Sequence, residues 1–355
     1  MDFSKIDRIT EEYIAERAFP SAVVSIFDRE KTLYRAAYGS NLLPDGTLQK
    51  VNTDTAYDMA SCSKIATATQ ILDLIDEGKL RLETRIPEVL TEIKSRPNLY
   101  ARLRSVTIYQ LLTHTSGVLD WYPFYTQCGR DYFDVFESFI GDTKIVDGME
   151  YSDMNFMLLG MALSRVKGKP LEDCVKDLRD KLGAKRMQYK LEEEPDETLS
   201  GNIAPSCWGN DIEEEMVRER NLFFDGWRSQ DAPVIGCNDG NAHYFLKDVA
   251  GHAGITADAD AYERLCRYYL NTDSALLQRA MTEQEEGRGL GFQIDEGLYP
   301  GGCGHTGFTG TSIYICRKKG IGCVLLTNRL AFDHYHGVQT QPYRRAIAAA
   351  VNEIL

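Results

Sequence analysis

The sequence predicts a two-lobe α+β protein, in which an antiparallel sheet lobe built from both ends of the chain brackets an inserted, mostly helical lobe. Three observations carry this. Runs rich in β-branched and aromatic residues cluster near both termini, while apolar residues at helical spacing fill the middle. The 355 residues are enough to bury a sizeable core in one large domain or two lobes. No internal repeat divides them. Residues 1–60 and 255–355 are assigned to the sheet lobe and 61–254 to the helical lobe, with the active site expected between the two.

The elements follow in order. Phe3–Arg17 places Ile6, Ile9, Tyr13 and Ile14 at helical spacing. Ser21–Phe27 and Thr32–Tyr38 flank Asp28-Arg29-Glu30-Lys31 and read as a hairpin. Ser61–Glu77 is a helix with Ile65, Ala68, Ile71, Leu72 and Ile75 on one face, and Val106–Thr113 and Asn155–Val166 are further helical runs. Leu191–Ser200 and Asp211–Pro233, rich in Gly, Pro and acid, read as loops; the acidic runs Glu192–Glu194 and Glu213–Glu215 read as solvated surface. Thr311–Cys316 and Gly322–Thr327 flank Arg317-Lys318-Lys319-Gly320 as a second hairpin, and Gln341–Leu355 is an Ala-rich amphipathic helix.

Composition narrows the class. With 43% apolar and 26% charged residues the chain is an ordinary globular protein, and a net charge of -13 disfavours nucleic acid and anionic membrane as partners. No stretch reaches the roughly 20 apolar residues of a membrane span. Met1–Phe19 is acidic and amphipathic without the apolar region of a secretory signal, so a cytoplasmic location is expected. Nine cysteines, an odd number with no CxxC pair, read as reduced and mostly buried thiols.

Ser61-Cys62-Ser63-Lys64 is an S-x-x-K element at the start of a helix. Residues three apart share a helix face, so the Lys64 amine can reach the Ser61 hydroxyl. A serine is a weak nucleophile until a base takes its proton, and free N–H groups at a helix start favour developing negative charge. The bland alternative is a serine cap with a surface lysine. Ser164-Arg165-Val166-Lys167 has the same spacing but ends a helical run before Gly168 and Pro170, where the helix dipole has the opposite sign. Position on the helix thus selects Ser61 as the nucleophile.

Further motifs follow in order: Val106-Thr107-Ile108-Tyr109-Gln110-Leu111-Leu112-Thr113-His114-Thr115-Ser116-Gly117, then Tyr151-Ser152-Asp153-Met154-Asn155, then Gly251-His252-Ala253-Gly254, then Gly304-His305-Thr306-Gly307-Phe308. Together with Ser61–Lys64 they resemble the class C β-lactamase and penicillin-binding-protein-like serine hydrolases, a group that includes esterases and D-amino-acid peptidases. The resemblance runs from about residue 10 to 350. It implies a class C β-lactamase-like fold, Ser61 as the acylated nucleophile, Lys64 assisting its deprotonation, and Tyr151 as general base and then acid. It also implies that His305-Thr306-Gly307 borders the site in the place of K-T-G, and that the backbone N–H groups of Ser61 and Phe308 form the oxyanion hole.

Two departures bear on chemistry. Asp153 stands where the family's β-lactamases have asparagine, and its carboxylate would hold Lys64 cationic, favouring Tyr151 as the main base. For that, Lys64 would have to depress the phenol's pKa from about 10. His305 replaces a lysine; a histidine only partly charged at neutral pH would bind carboxylate-bearing substrates less well.

Other signals are weaker. Gly302–Gly307 fits G-x-G-x-x-G, but a β-branched run follows it rather than a helix. Trp121, Tyr122 and Phe124 belong to an aromatic stretch that could wall a substrate pocket or pack on its own core. His114 reads as a loop anchor, Cys62 as a buried thiol, and His334 and His336 as a pair lacking a third metal ligand. The reading is a serine hydrolase for small-molecule esters or amides, with no metal or organic cofactor. The alternative is a non-catalytic binding or sensor protein on the same scaffold.

Overall fold

The computed structural model describes residues 1–127, 130–140, 145–190, 199, 202–332 and 339–355. Nine strands occur among them: β1 (Ser21–Asp28), β2 (Thr32–Leu42), β3 (Leu48–Lys50), β4 (Tyr57–Asp58), β5 (Met187–Tyr189), β6 (Ile255–Ala257), β7 (Cys303–Thr306), β8 (Ser312–Cys316) and β9 (Ile321–Thr327). Six form one antiparallel sheet in the order β3-β2-β1-β9-β8-β7. The hairpins from the two ends of the chain meet along β1 and β9, in register from Ala22↔Thr327 to Asp28↔Ile321.

Alternation along these strands explains why both faces are covered. Val24 and Ile26 of β1, Tyr314 of β8, and Cys323 and Leu325 of β9 pack with Ile6, Tyr343, Ile347 and Val351 from the terminal helices Ser4–Ala15 and Gln341–Ile354. Their neighbours Val23, Phe27, Ile313, Ile315, Val324 and Leu326 point the other way, into the main core shared with helix Ala259–Leu270 and the helical region. A fully buried central sheet of this kind contributes roughly 25 cal/mol per Å² of apolar surface removed from water.

The one-faced pattern expected of the Ser61–Glu77 run is exceeded in the structure, and a second helix is buried in the same way. Helix Ser63–Asp76 is buried on nearly every side from Ser63 to Leu72, and helix Asp153–Lys167 from Met154 to Gly160. Both stand inside the core rather than on it, which a single apolar stripe does not require. Helix Asp153–Lys167 presses backbone to backbone on the loop before β6: a Cβ on Gly160 would lie 2.8 Å from the Gly251 Cα. The Val106–Thr113 run narrows to helix Ile108–Leu112 because Thr107 and Gln110 form a capping box.

The region expected to be a loop from Asp211 contains helix Asp211–Glu219. Glu213 in it is buried, accepting from the Tyr125 hydroxyl at 2.8 Å and the Gly240 N–H at 2.7 Å, so one residue of that acidic run faces inward rather than solvent. The run Glu192–Glu194 and the pair His334 and His336 lie outside the described residues. All eight described cysteines are free and buried. No described helix is long and apolar enough to cross a membrane.

A second, three-stranded sheet, β4-β6-β5, positions the site. Tyr57↔Ala257 and Asp58↔Thr256 tie the residues just before Ser61 to those just after Gly251-His252-Ala253-Gly254. Met59 N–H donates to the Ile255 carbonyl at 2.8 Å, extending the tie to within two residues of Ser61.

Candidate active site

Ser61 sits in the tight turn Ala60–Cys62, and the α-helix begins at Ser63. Ala60 holds φ 45°, a left-handed value for a residue with a side chain. Asp58 holds this strained turn in place: its carboxylate accepts from Ala60 N–H at 2.9 Å and from Asn238 N–H at 2.8 Å. Burial pushes the Asp58 carboxyl up to about 6, and these two amides limit the rise.

Lys64 is fully buried. Its Nζ donates to Ser61 Oγ at 2.9 Å and to the His252 carbonyl at 3.0 Å, and stands 2.8 Å from the Asp153 carboxylate. Burial pulls the ammonium's pKa down, but Asp153 and Tyr151 outweigh that and leave it above its ordinary value. The Tyr151 ring lies 5.0 Å from Lys64 Nζ, and its hydroxyl faces both Lys64 and Ser61. Burial raises the phenol's pKa, Lys64 opposes it only in part, and Asp153 adds to the rise. The net direction is upward, opposite to the depression expected from Lys64 alone, because burial outweighs the Lys64 charge and Asp153 adds to the rise.

Strand β7 is an edge of the main sheet, so one side of His305-Thr306 has no strand partner among the described residues. A glycine must follow: a Cβ at Gly307 would fall 2.1 Å from Thr311 Oγ1 and 2.7 Å from the Met59 carbonyl. That close approach sets Thr306, Gly307 and Phe308 against the Ser61 turn. The backbone N–H groups of Ser61 and Phe308 make no hydrogen bond among the described residues, as donors reserved for an oxyanion would. His305 is buried, with Nδ1 2.8 Å from the Thr306 carbonyl oxygen. Burial, then Lys64 and Arg288, hold its pKa well below the usual histidine value. The partial charge expected at His305 is therefore absent.

Of the aromatic stretch, only Trp121 lines the cleft. Tyr122 packs on Phe139 with ring centroids 3.7 Å apart, and buried Phe124 packs on Phe136 and Phe245, so both belong to the helical core instead of the pocket. His114 accepts from the Ser152 N–H at 3.1 Å and packs at a tilt against the Tyr151 ring, centroids 4.6 Å apart, anchoring the loop that presents the tyrosine. Cys62 points to the His305 carbonyl at 3.4 Å, and burial pushes its thiol up to about 12, so it is inert.

Several contacts of the site have no signal in the sequence. His252 Nε2 meets Asp239 Oδ1 at 3.0 Å, which fixes the segment whose carbonyl holds Lys64. Ligand atoms of Asp153, Asp239 and His252 lie within 4.8 Å of one another, a grouping that could hold a metal ion. The Lys64 ammonium stands against this group, 2.8 Å from Asp153, and already supplies it with a cation. On the other side of Ser61, a cavity of about 420 Å³ is walled by Tyr151, Thr306 and three arginines, Arg288, Arg329 and Arg344. Arg329 and Arg344 donate to the Phe308 carbonyl at 2.6 Å and the Gly307 carbonyl at 2.7 Å. The Arg288 guanidinium lies 5.1 Å over the Tyr151 ring and has no carboxylate partner among the described residues.

The comparisons with known proteins agree with this geometry. The family model described as Beta-lactamase matches residues 6–346. An N-acetylmuramyl-L-alanine amidase of Bacillus subtilis (strain 168) is 27% identical, over 92% of this chain and 80% of its own length. A putative D-alanyl-D-alanine carboxypeptidase of Escherichia coli (strain K12) is 23% identical over 92% and 82%. Among solved structures, a class C β-lactamase from Rhodobacter sphaeroides superposes with TM-score 0.71 at 18% identity, covering 99% of both chains. EstCE1, a hydrolase with promiscuous acyltransferase activity, superposes with TM-score 0.67 at 18% identity, covering 97% of both. The fold is thus that of the class C β-lactamases and penicillin-binding-protein homologues, and the chain belongs to the β-lactamase family of serine hydrolases.

Proposed function

We propose that this hydrolase forms an acyl-enzyme at Ser61 with small ester or amide substrates and releases the acyl group to water. One observation carries the reading: the buried Lys64 ammonium donates to Ser61 Oγ and to the His252 carbonyl and stands 2.8 Å from Asp153, with the Tyr151 hydroxyl beside it. An ammonium that donates to Ser61 Oγ cannot take the Ser61 proton. The acceptor is then Tyr151 as phenolate, beside the same cation.

The Ser61 proton passes to the Tyr151 phenolate as Oγ bonds to the substrate carbonyl carbon. The carbonyl electron pair moves onto an oxygen held by the Ser61 and Phe308 N–H groups. Collapse breaks the bond to the leaving group, which takes the proton from Tyr151, and water repeats the sequence to free the acid. Because burial keeps the phenol largely protonated, the rate is set by a minority phenolate and should climb about tenfold per pH unit from pH 7 to 9.

The substrate's leaving-group side faces cations. Tyr151, which protonates the leaving group, carries Arg288 against its ring, and Arg329 and Arg344 stand in the same wall. The loss of a lysine at position 305 is therefore offset, and a carboxylate on the leaving group fits better than His305 alone suggests. Two relatives bear the names of an amidase and a carboxypeptidase, consistent with acyl bonds of this kind.

Labelling by a fluorophosphonate and turnover of p-nitrophenyl acetate, each lost in Ser61→Ala, would support the acyl-enzyme. Binding of the ester without Ser61-dependent turnover would make the protein a sensor instead. Arg288→Ala should narrow the preference for carboxylate-bearing over neutral leaving groups by about tenfold.

A further inference from the structure

The two sides of the cleft carry opposite charge. On one side of Ser61 a cavity of about 400 Å³ is lined by Asp120, Glu150, Asp153 and Asp239 and by no arginine or lysine. The arginine-walled cavity on the other side has no aspartate or glutamate in its wall. Its cations come from three segments: Arg288 before β7, Arg329 after β9, and Arg344 in helix Gln341–Ile354.

These cations are enclosed and uncompensated. Arg344 is 5% exposed, Arg329 is 9% exposed and Arg288 is half-buried. None of the three has a carboxylate partner among the described residues. Arg35, enclosed beside the central sheet, shows the ordinary arrangement: it meets Glu263 at 2.6 Å and Asp260 at 3.4 Å, and these outweigh burial and raise its pKa. At the cleft arginines burial wins instead. It lowers all three, Arg344 to about 10, where repulsion from Arg329 adds to the fall. All three stay protonated near pH 7.

The bonds they make leave that charge in place. Arg344 donates through one Nη to the Gly307 and Thr311 carbonyls, and Arg329 through Nε to the Phe308 carbonyl. The Nε of Arg344 and the guanidinium of Arg288 make no hydrogen bond among the described residues. Helix Gln341–Ile354 starts at the same wall, with Thr340 and Gln341 lining the cavity and no side-chain cap at Thr340. Its first N–H groups add partial positive charge. Enclosed cations without partners are costly, and a bound anion removes that cost.

We infer that this cavity takes a leaving group with two anionic groups, one held by Arg288 beside Tyr151 and the other by Arg329, Arg344 and the start of helix Gln341–Ile354. The substrate is then an ester or amide whose alcohol or amine portion is a diacid, as in an amide of an acidic amino acid. A single carboxylate meets one of the two positions and leaves the other uncompensated. The assignment to the leaving group rests on the proposed acyl-enzyme, in which Tyr151 protonates that group.

Model leaving groups test the site without turnover. The Ser61→Ala protein is titrated calorimetrically at low salt with 3-hydroxybenzoate, a monoanion, and 5-hydroxyisophthalate, a dianion on the same ring. The dianion should bind about tenfold more tightly, and added salt should erode the difference. Adding Arg329→Gln should shrink it to about twofold or less, and Arg344→Lys, which keeps a cation but loses the planar fork, should shrink it in part. Equal binding of the two anions, or a difference that both substitutions leave intact, overturns the inference. The comparison in the Ser61→Ala protein holds whether or not either variant folds. Turnover of 3-acetoxybenzoate and 5-acetoxyisophthalate separates the site from the chemistry. Ser61-dependent turnover with no gain from the second carboxylate, after correction for alkaline hydrolysis, overturns the inference and keeps the acyl-enzyme. Tighter binding of the dianion with turnover independent of Ser61 removes the acyl-enzyme and leaves the two-anion site.

Discussion

The chain carries two S-x-x-K elements, Ser61–Lys64 and Ser164–Lys167, and they meet opposite fates. Both serines are partly buried. The difference lies in the lysines and in helix position. Lys64 opens a helix from the inside of the core, with no exposed side-chain surface, and its ammonium is surrounded by Ser61, Asp153 and a carbonyl. Lys167 closes a helix, keeps 21% of its side chain exposed, and donates to Gln70 at 2.7 Å, 3.9 Å from Asp177. Ser164 caps the same helix end, donating to the Lys169 carbonyl at 2.6 Å, beside Gly168 at φ 68°. Equal spacing thus yields an electrostatic machine in one place and a helix terminator in the other. Burial next to a compensating carboxylate makes the distinction, because a fully buried cation must be paired while a partly exposed one can turn to water.

Substitutions can break this contrast. The largest effect is expected from Ser61→Ala, which should lower kcat/KM for p-nitrophenyl acetate by about a thousandfold or more. Lys64→Met should follow. It strands Asp153 beside the site, and a loss of about 3 kcal/mol in urea unfolding is expected together with near-complete loss of turnover. If Lys64→Met kept its activity, the fixed-charge role would be wrong. Tyr151→Phe removes the proton acceptor and should cost about a hundredfold to ten-thousandfold in acylation, read by stopped-flow release of p-nitrophenol.

A subtler change sharpens the same comparison. Asp153 raises the pKa of both Lys64 and Tyr151. Asp153→Asn should therefore lower both, and the rising limb of the pH–rate profile, which follows phenolate formation, should move toward lower pH. A profile that moves up or stays fixed would exclude Tyr151 as the group it reports. The smallest effects are expected at the second element: Ser164→Ala and Lys167→Ala should leave turnover unchanged within about twofold and stability within about 0.5 kcal/mol.

The legible part of the site was the part written in short contiguous runs. Ser61-x-x-Lys64, Tyr151-Ser152-Asp153 and His305-Thr306-Gly307 could be named because each motif is local, and the structure brings all three to one cleft. The two terminal hairpins were equally legible from their β-rich runs on either side of charged turns. The arginine wall was not, since Arg288, Arg329 and Arg344 come from separate segments that share no motif. Nor was the Asp239–His252 pair, which joins residues of a loop and of the stretch before β6. Tyr122 and Phe124, candidates for the pocket wall, pack on the core instead, because an aromatic run does not reveal which ring turns inward.

Residue order alone determined the two terminal hairpins, the main helical runs, the preference for Ser61 over Ser164 as candidate nucleophile, and the family to which the chain belongs. These follow from periodicity, caps and motifs that act over a few neighbouring residues. The state of the groups was decided by the tertiary structure: a tyrosine raised rather than lowered, a histidine made neutral, a glutamate drawn out of an acidic surface run, and a cleft with one basic and one acidic half. Desolvation and charge pairing depend on which distant side chains share a buried volume, and that is known only once the chain has closed on itself.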